Sequence, residues 1–501
     1  MRVRSDRQPV SGKPKYKSGR GDVSAEPPGP GRAHSANQAS TGSSVEKPDY
    51  LSLEIGSDTE ISRKVLQRLN ETHGRVVYSE GDLWYYGRTH WQAFSESDLR
   101  SKVQEFDGAR YPTPSGSLTW IKLGKSKIDS ILHGLLKSCS EPKFFEERAA
   151  GINCASGFIQ FDEKGSPKLH PHSPEHRARH VLPGRWKQGR ALRVPANSLL
   201  SRLLGGVFKG DPDSPEKATL LAEICGVAAL GHATKMVQPR AVILYGLSAE
   251  NGKGQIIDLM RGLLPASATC CVAPAIMSDE RHVIALAGKL LNATDELSGE
   301  SIASNRFKLI ITGDPVSGRD VYKSRIEFRA IGQHVFATNK LPPFRGGMDR
   351  GVIRRLCVIP FNRVIPIEQR IEGIGKLVAQ REPDLLLGWA VQGALRVLRN
   401  GVFTIPGSCR QALRDWIFAS DPILSWLDEC VKEEPGCGEI RTRAAYNEFR
   451  GWAAAEGFKS LPDINVFVSK VLSTTRGIEH RRSGKAGRRF IGMRILATEK
   501  S

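Results

Sequence analysis

Four short constellations carry residue types that together could bind and split a nucleoside triphosphate. The first is "YGLSAENGKGQ" (245–255), where a glycine-bearing turn runs into Asn251-Gly252-Lys253. Such a turn aims backbone N–H groups at phosphate, and a lysine at its end adds a compact positive charge. Gly246, Glu250, Asn251, Gly252, Lys253, Gly254 and Gln255 are therefore the candidate phosphate-binding residues. The second is "LLNATDE" (290–296), which ends on two adjacent carboxylates. One acid can hold Mg²⁺ through water while the other polarises an attacking water, and Asp295 and Glu296 are the candidates. The third is "HVFATNKLPPF" (334–344), where the amide of Asn339 at a strand tip can orient that water. The fourth is "MDRGVIRRLCVIPF" (348–361), whose Arg354 and Arg355 suit planar recognition of phosphate, including from a neighbouring subunit.

The loop departs from the usual pattern of Gly, four residues and Gly-Lys-Ser/Thr. Five residues separate Gly246 from Gly252, and Leu247 stands where the first glycine is expected. Gly254 replaces the hydroxyl residue that normally ligates Mg²⁺. The lysine and the backbone donors remain, so the loop is expected to bind ATP. The change at Gly254 bears on metal ligation and turnover, and water held by Asp295 is the candidate substitute for the missing ligand.

These groups need a strand, a tight loop and a helix to hold them. "RAVILYG" (240–246) reads as a buried strand of a parallel sheet. "GQIIDLMRGLL" (254–264) follows with Ile256, Ile257, Leu259, Met260 and Leu263 at helical spacing. Upstream, Ser57 or Asp58 is the expected cap of a helix with Ile61, Val65, Leu66 and Leu69 on its apolar stripe. A hairpin with its turn at Glu80-Gly81-Asp82 carries Trp84, Tyr85, Tyr86 and Trp91, which can either stack on bases or pack on one another. Helices are expected over "KSKIDSILHGLLKSC" and in two pieces across 194–236, split at "KGDPDSPEK". His170, His172, His176 and His180 lie close in sequence, but Pro171 and Pro174 break any ligand spacing, which favours a solvated loop over a metal site. Near the C-terminus, three helices precede a basic hairpin bearing Arg481, Arg482, Lys485, Arg488 and Arg489, the pattern of a winged-helix module on DNA.

The formal net charge of +20 over 501 residues points to a polyanionic partner, nucleic acid first, against a basic tail plus a solvated face. Residues 1–50 are rich in Arg, Lys, Ser, Gly and Pro and read as a disordered basic tail. The nine cysteines form no CxxC pair and read as reduced thiols of a cytoplasmic protein. No apolar run approaches the roughly 20 residues a membrane span requires.

The combination "YGLSAENGKG", "LLNATDE", "FKLIITGDPVSGRDVYK", "HVFATNKLPPF" and "RGVIRRLCVIPF" resembles the superfamily 3 helicases. More narrowly, it is similar to the helicase part of the phage and plasmid primase-helicase family, related to the poxvirus primase-helicase. The resemblance implies an α/β fold: an AAA+-like P-loop ATPase core over 237–400, an α+β N-terminal region over 51–236 and a winged-helix domain over 415–497. It implies ATP and Mg²⁺ as cofactors, a homo-hexameric ring, translocation on single-stranded DNA and a separate primase as partner. It makes Lys253 the Walker A lysine, Asp295 and Glu296 the Walker B acids, Asn339 the sensor and Arg354 or Arg355 the arginine finger. Lys308, Arg319 and Lys323 fall where the family places its DNA-contacting hairpin. The alternative reading is an ATP-binding replication-origin or loader protein without processive unwinding, or the helicase part of a primase system.

Overall fold

A computed structural model describes residues 52–162, 165–189, 193–319, 325–345, 347–434, 438–458, 461–482 and 487–496. The basic tail, Lys323 and Lys485 lie outside the described residues. Residues 52–501 cluster as one compact unit.

The centre is a five-stranded, all-parallel sheet. Its strands in chain order are β1 (Ala241–Tyr245), β2 (Thr269–Cys270), β3 (Leu291–Thr294), β4 (Gln333–Thr338) and β5 (Leu356–Pro360), and they lie side by side as β2-β3-β4-β1-β5. β1 and β5 are near-continuous apolar runs, and β3 and β4 are buried along their whole length, because both faces of the sheet are covered. Alternation sends Val242, Leu244, Val335, Ala337, Cys357 and Ile359 to one face. Ala241, Ile243, Phe336, Leu356 and Val358 go to the other.

The first face packs against α1 (Leu199–Val207), α2 (Ser214–Leu230), α3 (Lys253–Leu263), α5 (Ile374–Arg381) and α6 (Pro383–Asn400). The second packs against α4 (Ser304–Thr312) and α7 (Gly407–Ser420). β1 connects to β2 through α3 on the first face. β4 connects to β5 through a short turn of helix that buries Val352 on the second. Adjacent strands whose connections leave to opposite faces open a crevice at their carboxyl ends, and here it lies between β1 and β4.

The N-terminal portion begins with helix Asp58–His73, capped by Ser57, whose hydroxyl accepts from the Glu60 amide. Ile61, Val65 and Leu69 are buried. The aromatic hairpin turns at Glu80-Gly81, both with positive φ, and gains a third strand, Trp91–Ala93. Packing consumes most of its rings: Trp84 lies edge-on to Phe145, Tyr85 meets His73 and Phe94, and Trp91 packs on Phe144.

His172, His176 and His180 are joints between segments rather than members of a solvated loop. His172 Nδ1 lies 2.9 Å from Asn153 Oδ1, and His176 stacks on Phe158 with centroids 3.9 Å apart. His180 Nε2 donates to the Gly288 carbonyl at 3.0 Å, with Ser267 Oγ 3.2 Å from Nδ1. Among the described residues no group of three or more His, Cys, Asp or Glu could hold a metal. Burial pushes the His180 imidazole down to about 3 and that of His334, in β4, down to about 4. Both stay neutral when folded but charge near 6.5 when unfolded, so the unfolded chain binds more protons as pH falls below that value. Going from pH 7.5 to about pH 5.5 should remove about 1.4 kcal/mol at His334 and up to a similar amount at the partly exposed His180. Urea denaturation at the two pH values, with His334→Asn as the control, checks this. An unchanged pH dependence in the variant would contradict the assignment to His334.

The C-terminal residues form a separate apolar cluster around Trp426, Phe449, Phe467 and Phe490. It comprises α8 (Pro422–Cys430), β6 (Val431–Glu433), β7 (Glu439–Arg441), α9 (Thr442–Ala455), α10 (Ile464–Thr474), β8 (Glu479–Arg482), β9 (Arg488–Ile491) and β10 (Met493–Ile495). The strands pair antiparallel as β6-β10 and β7-β9-β8.

Candidate functional site

The loop after β1 rises into the crevice at the sheet's carboxyl end. Gly246 lies so close to Asn251 that a Cβ would stand 2.2 Å from Asn251 Nδ2. Gly252 has φ of 87°, and a Cβ there would meet Val207 at 2.4 Å. Both positions therefore require glycine. Glu250 adopts the left-handed region with φ of 62°, and its carboxylate pairs with Arg370 at 2.6 Å, which holds its pKa below the usual carboxylate range.

Lys253 opens α3 and is the hub. Its three N–H donors are shared among four oxygens: Asn339 Oδ1 at 2.7 Å, Asn251 Oδ1 at 2.9 Å, the Gly246 carbonyl at 3.1 Å and the Ser248 carbonyl at 3.4 Å. Burial lowers the Lys253 pKa. Asn251 is itself fixed, its amide donating to the carbonyls of Ser248 at 2.8 Å and Phe361 at 3.4 Å. The tips of β1 and β4 are thus joined by one ammonium with neutral acceptors around it. This cation can exchange its carbonyl and amide partners for phosphate oxygens, which bind it more strongly.

A cavity of about 540 Å³ lies over the loop. Residues 249–255, Asp295, Glu296 and Asn339 line one side. Arg202, Leu203 and Val207 of α1 and Ile365, Arg370 and Ile374 line the other. That second wall was not legible in the sequence, because no motif marks it.

Asp295 and Glu296 follow β3 at the same end of the sheet, and both are exposed. Asp295 pairs with Arg261 of α3 at 2.9 Å, and the same guanidinium donates to the Ala293 carbonyl. Arg261 is a further residue the sequence reading missed. Glu296 has no hydrogen-bond partner among the described residues, so it is the freer carboxylate.

Arg354 and Arg355 precede β5, at the amino end of the parallel sheet and therefore across the sheet from Lys253. Arg355 is buried, bonded to the Gly351 carbonyl at 2.7 Å, and lodged under the sheet. Arg354 is exposed. Only Arg354 is placed to reach a neighbouring molecule.

Strands Pro315–Gly318 and Ile326–Arg329 pair antiparallel, and Arg319, directly after the first of them, is exposed. Lys308 is engaged by Asp349 at 2.8 Å. On the C-terminal hairpin, Arg481 stands opposite Arg489 and Arg482 opposite Arg488. Like charges directly opposite are destabilising unless a counter-charge arrives. Arg489 pairs with Glu439 at 3.0 Å and Arg481 with Glu479 at 2.5 Å, while Arg482 and Arg488 are exposed.

Residues 244–355 match a family of unknown function, DUF5906. That span holds the first three constellations whole and the fourth as far as Arg355. No curated protein matches the chain. Among solved structures, the chain is similar to the A form apo structure of the NrS-1 C-terminal region, with 14% identity and a TM-score of 0.44, covering 85% of this chain and 98% of that one. The apo structure of the NrS-1 C-terminal region (305–718) gives 14% identity and a TM-score of 0.43 over the same shares. None of the helices among the described residues is long and apolar enough to cross a membrane.

Proposed function

We propose that the chain is an ATP-dependent DNA helicase of superfamily 3 that works as a ring on single-stranded DNA in phage, prophage or plasmid replication. Its AAA+-like core would hold ATP, and its winged-helix module would hold DNA. The carrying observation is the Lys253 ammonium bonded to Asn339 across the β1–β4 crevice, beside a cavity bordered by Asp295 and Glu296. On this reading ATP phosphates take the Lys253 donors, which frees the Asn339 amide to orient the attacking water. Glu296 then polarises that water, and Arg354 of a neighbouring subunit stabilises the charge that develops on the phosphate. Mg²⁺ bound with ATP neutralises phosphate charge, and Asp295 would hold it through water after leaving Arg261.

Gly254, in the first turn of α3, has nothing within 4 Å of an added Cβ. Gly254→Ser is therefore accommodated and should raise the Mg²⁺-dependent rate several-fold by restoring the usual ligand. Unchanged rate and metal requirement would count against water as the present substitute.

The deciding experiment is ATP hydrolysis with and without single-stranded DNA, together with unwinding of a forked duplex. Hydrolysis indifferent to DNA would sink translocation. One observation favours a second reading, an ATP-gated loader: Asp295 is already tied to Arg261 beside a loop that lacks the hydroxyl. Under that reading ATP drives assembly on gel filtration and no strand separates.

A further inference from the structure

The N-terminal portion holds a second cavity, of about 210 Å³. Trp91 and Phe144, packed edge to face, contribute aromatic wall, and Tyr86 contributes another side. Arg75 and Arg177 also line it, each with its guanidinium over the Phe144 ring, at 5.7 and 4.7 Å from the centroid. Arg177 is held in place by its left-handed backbone, with φ of 50°, and by its bonds to the Phe144 carbonyl and Glu147. Arg75 pairs with Glu141 through Nη2 alone and stays largely exposed. Tyr86 Oη is buried without a hydrogen-bond partner. A buried hydroxyl left unpaired costs free energy that a ligand can offset by supplying the partner.

Two guanidinium groups outnumber the one carboxylate of the lining, Glu175, so the cavity suits a flat ring that carries an anion. A base can enter over the edges that the nearly buried Trp91 and Phe144 rings leave open, its own edge meeting the Tyr86 hydroxyl, while its phosphate takes the unused N–H donors of Arg75 and Arg177. We propose that this cavity is a second nucleotide-binding site, distinct from the Lys253 site, that takes one base with its phosphate. The base belongs to a free mononucleotide or to a single-stranded DNA.

Oligothymidylate carrying 4-thiothymidine, photo-crosslinked to the full chain without ATP, gives the direct readout. Adducts are expected at Tyr86, Trp91 or the 174–177 segment. Thymidine monophosphate that competes as well as the oligonucleotide identifies a free nucleotide as the ligand, and competition by the oligonucleotide alone identifies the strand. Tyr86→Phe should weaken binding at this site roughly fivefold to tenfold without lowering the melting temperature, because the hydroxyl it deletes has no partner within the protein. Arg75→Ala, at an exposed side chain, should weaken binding by a similar factor. Adducts confined to other segments, with both variants binding within twofold of the parent, would overturn the proposal. The inference shares with the proposed function only the expectation that the chain meets nucleotides. Crosslinks confined to the 315–329 hairpin or the C-terminal module would remove this site and leave that function standing.

Discussion

Replacing Lys253 with alanine is expected, on the proposed function, to lower ATP hydrolysis by about 10²- to 10³-fold, the loss typical of deleting one positioned donor from a preorganised site. Lys253 Nζ is buried among four oxygen acceptors that already converge on one point, so it is fixed before any phosphate arrives. A fixed charge needs no reorganisation at the moment of reaction, which is why its deletion costs more than an exposed ion pair would. The fold should survive the change. The acceptors left behind border the 540 Å³ cavity, where water can satisfy them. Lys253→Arg should fail almost as badly, because a planar fork cannot address carbonyls and amides that converge on a single ammonium. Steady-state hydrolysis at saturating and limiting ATP, with a thermal melt of each variant, checks both statements. Alanine-variant hydrolysis within threefold of the parent would remove Lys253 from the reaction. Asn339→Ala should give a smaller loss, since it removes the orienting amide but leaves the charge.

The strand, tight loop and helix around Lys253 were legible in the sequence because everything that makes them is local: an apolar run, a turn that needs glycine and a helix stripe within residues 240–264. Asn339 was legible for the same reason, as a polar residue ending a buried strand. Its bond to Lys253 was not, since it depends on β4 lying beside β1 in the sheet, an order that the sequence of the chain does not dictate. Arg354 and Arg355 show the limit most sharply. As neighbours of identical type they looked interchangeable, and only the start of β5 separates an exposed guanidinium from one lodged under the sheet. The second wall of the cavity, at 365–374, and the Arg261 clamp on Asp295 left no pattern, because each arises from tertiary approach of segments with ordinary composition. The histidines misled in the opposite direction. A proline-broken polar stretch reads as solvated, yet His172, His176 and His180 each find a partner from a distant segment. In the C-terminal module the helices and the basic hairpin were visible. β6, β7 and β10 were not, since strands of three residues carry too little alternation to register.

Lys217→Ala is expected to destabilise the core by about 3–5 kcal/mol, the cost of leaving a buried charge without its partner. Lys217 is fully buried in the first turn of α2, where the helix dipole disfavours a cation. It is held there by Asp211 at 2.6 Å, by Asp213 at 3.7 Å and by donation to the Pro360 carbonyl at 3.1 Å. Asp213 in turn accepts from the Ser408 amide at 2.8 Å, so one ammonium links α2, the end of β5 and α7. Pro360 adjoins Phe361, whose carbonyl accepts from Asn251 in the phosphate loop. Loss of the clamp should therefore loosen the loop as well as the core, weakening ATP binding together with stability. A purely local pair would lower only the denaturation midpoint. The double change Lys217→Met with Asp211→Asn removes the closest charge pair at similar volume, leaves Asp213 with its Ser408 bond, and should recover much of the stability, because the penalty comes mainly from the orphaned partner rather than from a net gain of the pair. Urea denaturation of the parent, both single variants and the double variant closes the cycle. A double variant as unstable as the sum of the singles would mean that Lys217 acts through packing, and that its link to Asp211 is incidental.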